Sequence, residues 1–417
     1  MNPFAGPPVD SPAVHKHRLV LTFGLLTGLF AAGYGVMFTV LDDFRNEYGI
    51  GDAALGGMIS VGFFASFAAQ VFFAPLADRG HARKLVYIGM VLNVAGLAGM
   101  AIGRDVLVLY LARLVMGVGA GVAVPAIRRI VILADPDHLG QNIGRLLAAD
   151  VCGFALGPAV SAVLVSPLGI PAPFIVIAVA TVACFPVIRQ VQVDESVPAD
   201  SETQARFAFD LLRDRAYVGA LCFGAGVFVM IGTFDALWVL VLDDLKANDL
   251  IKNLGIVMFA LPLAFLGSVG GRLAQRVGPF RVGTVGLVVG AAFMFLYGQL
   301  PTAVLMFAFS LVHAFSDGLT VSSSGVAVGL AAPPDRQAGA QGLLGGVQTL
   351  TGGVFSIVAG TLYEHSGRAA AYTTCAVFMV VLVGVGLVCA RGEWSRRPEP
   401  NEIVAAENAA PDHLPLG

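Results

Sequence analysis

Four charged side chains lie inside long apolar runs of this chain: Arg113, Asp150, Asp235 and Asp317. A charge at the centre of a membrane helix costs roughly 2.5–3.5 kcal/mol on insertion scales. A chain therefore retains such a residue for pairing, for lining a wet cavity or for coupling to an ion. The chemistry that these residues offer is ion pairing and proton exchange.

Two acids are the candidates for proton coupling. Asp150 lies about 20° from both Gly157 and Ser161 around a helix, which makes it a candidate coupling acid. Because only about seven residues separate it from the start of its run, the alternatives are a structural salt bridge and an exposed acid near the cytoplasmic mouth. His313 and Asp317 stand four residues apart and share one helix face. This His-Asp pair either relays a proton or satisfies itself.

Three further residues are candidates for the substrate cavity. Asp235 lies seven residues from the outer end of its run, which favours an entrance vestibule over a coupling role. Arg113 would attract an anionic group or act on a nearby acid. Gln348 is a weaker candidate, like Gln70 and Asn93, because lone amides often hydrogen-bond across membrane helices without touching a substrate.

The chain that carries these residues is unusually apolar. Of its 417 residues, 57% are hydrophobic and 13% charged, where roughly 25% charged is usual for a soluble domain. Runs of about 20 apolar residues match the thickness of a bilayer core, and lipid requires them to be helical. This predicts an all-α polytopic membrane protein with twelve spans, near residues 19–41, 54–74, 85–103, 106–127, 143–166, 169–188, 216–242, 254–271, 282–298, 302–330, 340–362 and 369–390.

Several functions are excluded by what the sequence lacks. A net charge of −3 without a basic face argues against nucleic-acid binding. The five cysteines lie in apolar runs without CxxC spacing, so neither a disulfide nor a metal site is expected. No HExxH, GxSxG or Walker lysine motif is present, which argues against an enzyme and against drive by ATP. No cofactor is expected.

The distribution of positive charge predicts the orientation. With an even number of spans both termini share one side, and nineteen Lys and Arg residues fall on that side against five on the other. The positive-inside rule therefore places both termini in the cytoplasm. Four lysines against 21 arginines hint at a GC-rich bacterial genome, and hence at a bacterial inner (plasma) membrane.

The longest internal loop divides the chain into two parts. The expected organisation is an N-tail (1–18), a first six-helix bundle (19–188), a cytoplasmic linker (189–215), a second six-helix bundle (216–390) and a C-tail (391–417). The end of the linker, 204–215, is either a short amphipathic helix with Phe207 and Leu211 on one face or a mobile connector.

The two parts repeat each other. Leu41-Asp42-Asp43 closes span 1, and Leu242-Asp243-Asp244 closes span 7. The loop 74–84 after span 2 matches the loop 271–281 after span 8 at an offset of 197 residues. Such a duplication is typical of transporters in which a central site lies between two rocking bundles.

At these loops the chain resembles the major facilitator superfamily over residues 19–390. Leu76-Ala77-Asp78-Arg79 with Arg83 and Lys84 is similar to the loop 2-3 signature of that superfamily. The second copy is carried by Gly271-Arg272-Leu273-Ala274 with Arg276 and Arg281. Ala74, His81, Ala82 and Gln275 depart from the pattern. The resemblance implies a gating loop that fastens the two halves on the cytoplasmic side.

Two spans carry further motifs of this kind. Arg113 followed by glycines at 117, 119 and 121 resembles the intramembrane arginine motif of the superfamily. Span 5 resembles its antiporter signature, and the residues that match are Gly144, Gly153, Gly157, Pro158 and Ser161. Gly153, Gly157 and Ser161 lie within about 80° of one another, so the alternative interpretation of this stripe is ordinary close helix packing.

The resemblance implies twelve transmembrane helices in two pseudo-symmetric six-helix bundles. It also implies a secondary transporter that works by alternating access and exports a small amphiphilic or drug-like molecule in exchange for protons. Its partners would be the substrate, protons and the lipid bilayer. Proton-coupled uptake or facilitated diffusion of a metabolite is the alternative, and an intramembrane enzyme or a transporter-like receptor is a remote one.

Overall fold

The computed structural model describes residues 12–191 and 207–394, and within these ranges the chain is helical without any strand. The predicted tails up to residue 11 and from 395, and the linker from 192 to 206, lie outside the described residues. The helices are α1 (Pro12–Tyr48), α2 (Asp52–Phe73), α3 (Ala82–Ile102), α4 (Val106–Ala134), α5 (Leu139–Leu168), α6 (Pro171–Gln190), α7 (Arg215–Asp244), α8 (Asp249–Val277), α9 (Pro279–Tyr297), α10 (Ala303–Thr320), α11 (Ser323–Ala331) and α12 (Gln337–Cys389).

These helices account for all twelve predicted spans. Ten stretches of the described residues are long and apolar enough to cross a membrane, and the longest, Pro334–Cys389, has 56 residues. Gly367, with φ 82°, divides α12 into two crossing segments. The two segments of α12 raise the count to eleven, and α8 raises it to twelve. The helices α10 and α11 count as one span, which is interrupted at Val321 and Ser322.

Side-chain caps explain where several helices begin. Asp105, Asp214, Asn248 and Thr302 each accept a hydrogen bond from a backbone N–H in the first turn of α4, α7, α8 and α10. Such caps satisfy N–H groups that have no partner within the helix. The predicted amphipathic segment 204–215 is described only from residue 207, where it forms a 3₁₀ turn, Ala208–Arg213, ahead of α7.

The helices pack as two groups. In the first, α1 packs on α5 and α6, and α4 packs on α2 and α3. In the second, α12 packs on α7 and α9, and α8 packs on α10. The two groups meet mainly where α5 crosses α8 and where α2 crosses the first segment of α12. We call these groups the first half and the second half.

Candidate functional site

The two halves are fastened together at one end, which we call the basic end. It holds the turns at 74–81, 135–138, 207–214 and 332–336. Asp78 in the first of these turns is 1% exposed and belongs to the first half. Its carboxylate accepts hydrogen bonds from the backbone N–H groups of Ala338 (2.8 Å) and Gly339 (2.7 Å) in the second half.

The position of Asp78 follows from local structure. Its 3₁₀ turn, Ala74–Arg79, ends at Gly80, whose φ of 77° reverses the chain into α3. The carboxylate thereby meets the first turn of α12, where unpaired N–H groups and the helix dipole favour an anion. Arg129 at the end of α4 completes the site, because its Nε lies 3.1 Å from the Asp78 carboxylate and both side chains are buried.

The second copy of the motif also caps the start of a helix in the opposite half, but with a neutral side chain. Gln275 lies 197 residues after Asp78 and accepts a hydrogen bond from the Gly140 N–H at the start of α5 (2.8 Å). Its amide nitrogen donates to the carbonyls of Pro136 (3.3 Å) and Asp137 (3.2 Å) in the first half. Each half therefore caps the start of a helix in the other.

Close helix crossings lie directly beside these caps. Gly144 of α5 lies against the backbone of Gly267 in α8, and an added Cβ at either position would contact backbone of the other helix. Gly342 of α12 lies against Gln70 and Ala74 of α2, where a Cβ would lie 2.6 Å from the Gln70 carbonyl. Small residues of this kind let two helix backbones approach closely. The basic end is consequently closed.

The linker adds a further contact at this end. Asp210 in the 3₁₀ turn forms two hydrogen bonds with Arg336, of 2.8 and 2.6 Å, just before α12. Phe207 packs edge-on against Phe72 of α2, with ring centroids 5.8 Å apart. The turn therefore contacts both halves.

Asp135 belongs to a separate cluster within the first half at the same end. Burial raises the pKa of this carboxyl, but hydrogen bonds from His138 and Lys16 outweigh that effect and hold it below its usual value. Asp135 therefore stays charged at neutral pH and carries no proton there.

Asp150 and Asp235 are both exposed, and Asp150 lies next to the space between the halves. Asp150 is exposed on α5, about 120–140° around the helix from the exposed apolar residues Leu156 and Val163, which suit lipid. Asp235 is exposed on α7, about 40° from the exposed Val239 and 140° from the exposed Leu240. We call this space the cleft. Asp150 lies eleven residues from the start of α5 and Asp235 twenty from the start of α7, so Asp235 is about 14 Å farther from the basic end.

Asp150 lies near the end of the cleft that is closed by the basic end. The neighbouring Leu147 packs against the apolar core of the second half, so the halves are in contact there. Arg128 of α4 is the cation that acts electrostatically on Asp150. Gln348 is half-buried on α12 beside Gly224 of α7, and Gln70 hydrogen-bonds to Ser66 and, across the halves, to Thr349 (3.5 Å).

Arg113 lies within the first half rather than in the cleft. It is completely buried, and its guanidinium carbon lies 4.5 Å from the centroid of the Tyr34 ring. Its Nε donates to the Met58 carbonyl at 3.5 Å, beneath the backbone of Gly62. Among the described residues its two terminal nitrogens have no hydrogen-bond partner. A cation–π contact with Tyr34 of α1 and a hydrogen bond to α2 thus hold this charge inside the first half.

His313 and Asp317 lie within the second half, as a buried chain of polar groups. His313 Nε2 is 3.5 Å from the Asp317 carboxylate, and His313 Nδ1 is 3.1 Å from the Tyr297 hydroxyl. Phe293 stacks on the His313 ring. A cavity of about 10 Å³ beside Asp317 also borders Thr320, and a void of this size is near the minimum for one water molecule. Tyr297 and His313 are joined by a hydrogen bond, whereas His313 and Asp317 are at an ion-pair distance.

The residues of the antiporter-like stripe have two different environments. Gly144 contacts the second half at the α5–α8 crossing, whereas Gly153 and Gly157 contact the backbone of α1 in their own half. Pro158 lies against Gly35 of α1, and Ser161 is fully buried. The stripe therefore places α5 against both α1 and α8.

The other candidate gating residues lie around the basic end rather than between the halves. Arg83 donates to the Arg189 carbonyl in its own half (2.6 Å), and Arg281 donates to the Trp394 carbonyl (2.7 Å). Lys84 and Arg276 are exposed, and Arg79 is half-buried.

The sequence analysis missed four residues that connect the loops: Arg129, Gln275, Asp210 and Arg336. Arg129 and Arg336 entered it only as positive-inside charges, and Gln275 as a departure from a motif. A signal was present in the offset of 197 residues, which aligns Gln275 with Asp78. These four residues join the two halves at the basic end.

Comparison with known sequences agrees with this architecture. The profile described as Major Facilitator Superfamily matches the chain twice, over residues 23–243 and 231–414, so each half is matched by the same family. The solved structure of the proton:xylose symporter XylE has a TM-score of 0.74 and 14% sequence identity. It covers 95% of this chain and 100% of that one, and at this identity it shows a common fold.

Two resistance proteins are similar at the sequence level. The quinolone resistance protein NorA of Staphylococcus aureus (strain MRSA252) is 26% identical over 148 residues, which are 35% of this chain and 38% of NorA. The match thus spans well under half of that relative. Multidrug resistance protein 2 of Bacillus subtilis (strain 168) is 24% identical over 294 residues, 65% of this chain and 71% of that protein.

Proposed function

The chain belongs to the major facilitator superfamily of transporters, and we propose that it exports a small amphiphilic or drug-like molecule in exchange for protons across a bacterial inner membrane. The basic end faces the cytoplasm in this proposal, together with both termini. The names of the two resistance proteins support the direction of transport and the class of substrate. The charge asymmetry of the loops supports the orientation.

One observation carries the proposal: the halves touch at the basic end while Asp150 remains exposed in the cleft. This arrangement corresponds to the outward-facing state of an alternating-access cycle. In that state substrate leaves the cleft and a proton binds to a carboxylate. Closure of the outer side then requires the contacts of Asp78 and Gln275 to break, which opens the cytoplasmic side.

Two carboxylates are suited to bind the proton, and they differ in their surroundings. Asp150 is exposed on α5, and Arg128 of α4 acts on it electrostatically. Asp317 lies in the second half, beside His313 and a cavity of one-water size. Protonation of either acid removes a negative charge from a membrane-spanning helix, which lowers the cost of moving that helix past its neighbours.

Flux through reconstituted vesicles tests the proposal. A panel of amphiphilic compounds is screened with an imposed pH gradient, using the wild type and the variants Asp150→Asn, Asp317→Asn and Asp235→Asn. At the coupling site Asn mimics a permanently protonated acid, so pH-driven net transport disappears while substrate exchange persists. Asp235→Asn removes an acid that is not a coupling candidate, and it is expected to keep the response to the pH gradient.

A full pH response in both Asp150→Asn and Asp317→Asn would contradict coupling through these acids. Facilitated diffusion would then be the better account. Transport of a metabolite into cells, together with unchanged drug sensitivity on deletion, would favour uptake over export.

A further inference from the structure

A groove runs along the outer face of α3 at the basic end. It has a volume of about 520 Å³ and is lined by Arg83, Lys84, Tyr87, Ile88, Val91 and Leu92. Lys84, Ile88 and Val91 are all exposed and follow one another at spacings of four and three residues, so they form one stripe on the helix. The stripe continues to Ile102 at the far end of α3, which is 77% exposed. This face of α3 is directed to lipid.

Charge is concentrated at one end of this groove. Lys84 lies in the first turn of α3, and Arg83 beside it is held by the Arg189 carbonyl and by the Tyr87 ring, 5.9 Å from its guanidinium. Arg18 and Arg189, both exposed, lie at the same corner of the first half, where Arg18 bonds to Gln190. From Lys84 to Val91 the groove extends about 10 Å into the apolar zone.

We propose that this groove binds an anionic phospholipid. Its phosphate lies against Lys84 and Arg83, and one acyl chain lies along Tyr87, Ile88 and Val91. Positive side chains at the membrane surface above an apolar surface attract anionic headgroups, and each contributes appreciably to binding. A zwitterionic lipid should bind less tightly, because the positive group of its headgroup is repelled by the same side chains. The site is separate from the cleft and from the contacts that close the basic end.

The second half provides an internal control at the corresponding position. Arg281 lies 197 residues after Lys84 at the start of α9, and Val285 and Val288 take the places of Ile88 and Val91. The Arg281 Nε donates to the Trp394 carbonyl, and Phe280 replaces the second cation. This corner therefore has one cation, bound to a backbone carbonyl, where the first half has the exposed Lys84 in addition to the carbonyl-bound Arg83.

Photolabelling of the whole protein tests the site. The protein is reconstituted in phosphatidylcholine vesicles that contain a trace of phosphatidylglycerol or of phosphatidylcholine, each with a photoreactive group in the acyl chain. Peptide mapping then measures labelling of residues 85–92. We expect phosphatidylglycerol to label this segment preferentially, with a loss of about fivefold for each cation removed in Lys84→Gln and Arg83→Gln.

Two further variants separate this site from general lipid contact. Ile88→Trp fills the groove without changing its charge and is expected to reduce labelling, whereas Arg281→Gln leaves it unchanged. Equal labelling by the two lipids, or equal loss in Arg281→Gln and Lys84→Gln, would overturn the proposal. So would displacement of the labelled lipid by inorganic phosphate alone, because the groove would then bind the free anion.

Discussion

The two side chains that cap a helix of the opposite half, Asp78 and Gln275, occupy equivalent positions and use different chemistry. Asp78 holds the start of α12 with a carboxylate that is paired with Arg129, whereas Gln275 holds the start of α5 with an uncharged amide. A buried charge depends on its partners, because removing one partner leaves the other charge uncompensated. An amide loses only ordinary hydrogen bonds. The two caps should therefore contribute unequally to closure.

The largest effect is expected from Asp78→Ala. This change leaves Arg129 buried without its anion and frees two N–H groups, so the closed basic end should lose about 3–5 kcal/mol. Distances between spin labels at His81 and Arg276 measure the opening, and the population should shift to longer distances. Asp137→Ala removes the same charge from an exposed position at this end and serves as the control. An unchanged distance distribution in Asp78→Ala would refute this role.

A smaller effect is expected from Gln275→Ala. It removes three neutral hydrogen bonds, worth about 1–3 kcal/mol if the freed groups stay buried. The same pair of spin labels should report a partial shift. Gln275→Glu keeps the oxygen that accepts from Gly140 but turns both donated bonds into contacts between oxygens, so it should open this end at least as much as Gln275→Ala. Opening in Gln275→Ala as large as in Asp78→Ala would remove the distinction between the two caps.

The smallest effect is expected at the linker. The pair of Asp210 and Arg336 has its carboxylate partly exposed, so its coupling free energy should be about 1 kcal/mol or less. A double-mutant cycle with Asp210→Asn and Arg336→Gln measures it directly. A coupling several times larger would make the linker, rather than Asp78, the principal fastening of this end.

The fold was largely accessible from the sequence. Long apolar runs identified the helices because lipid leaves few alternatives, and the repeated loops indicated the duplication. The break at Val321 and Ser322 and the extension of α1 to Tyr48 were not predicted, since neither interrupts hydropathy clearly. Boundaries of this kind depend on packing rather than on composition.

The site was less accessible. The sequence singled out Asp78 and the buried charges by residue type and motif. It gave no indication that Arg113 stacks on Tyr34, or that Asp317 is buried within one half while Asp150 is exposed. Both arrangements depend on which helix faces meet. Gln275 illustrates the limit most clearly: its residue type departs from the motif, yet its geometry reproduces the contact of Asp78.

Proton-driven export is tested most directly with the wild-type protein in vesicles that are acidic inside. The substrate is a permanently charged amphiphilic dye, which cannot redistribute as a weak base, and vesicles without protein give the background. The account predicts that the pH gradient drives the dye into the vesicles against its own gradient, and that a protonophore abolishes this accumulation. Dye movement that only follows its concentration gradient, at the same rate with and without the pH difference, would contradict it.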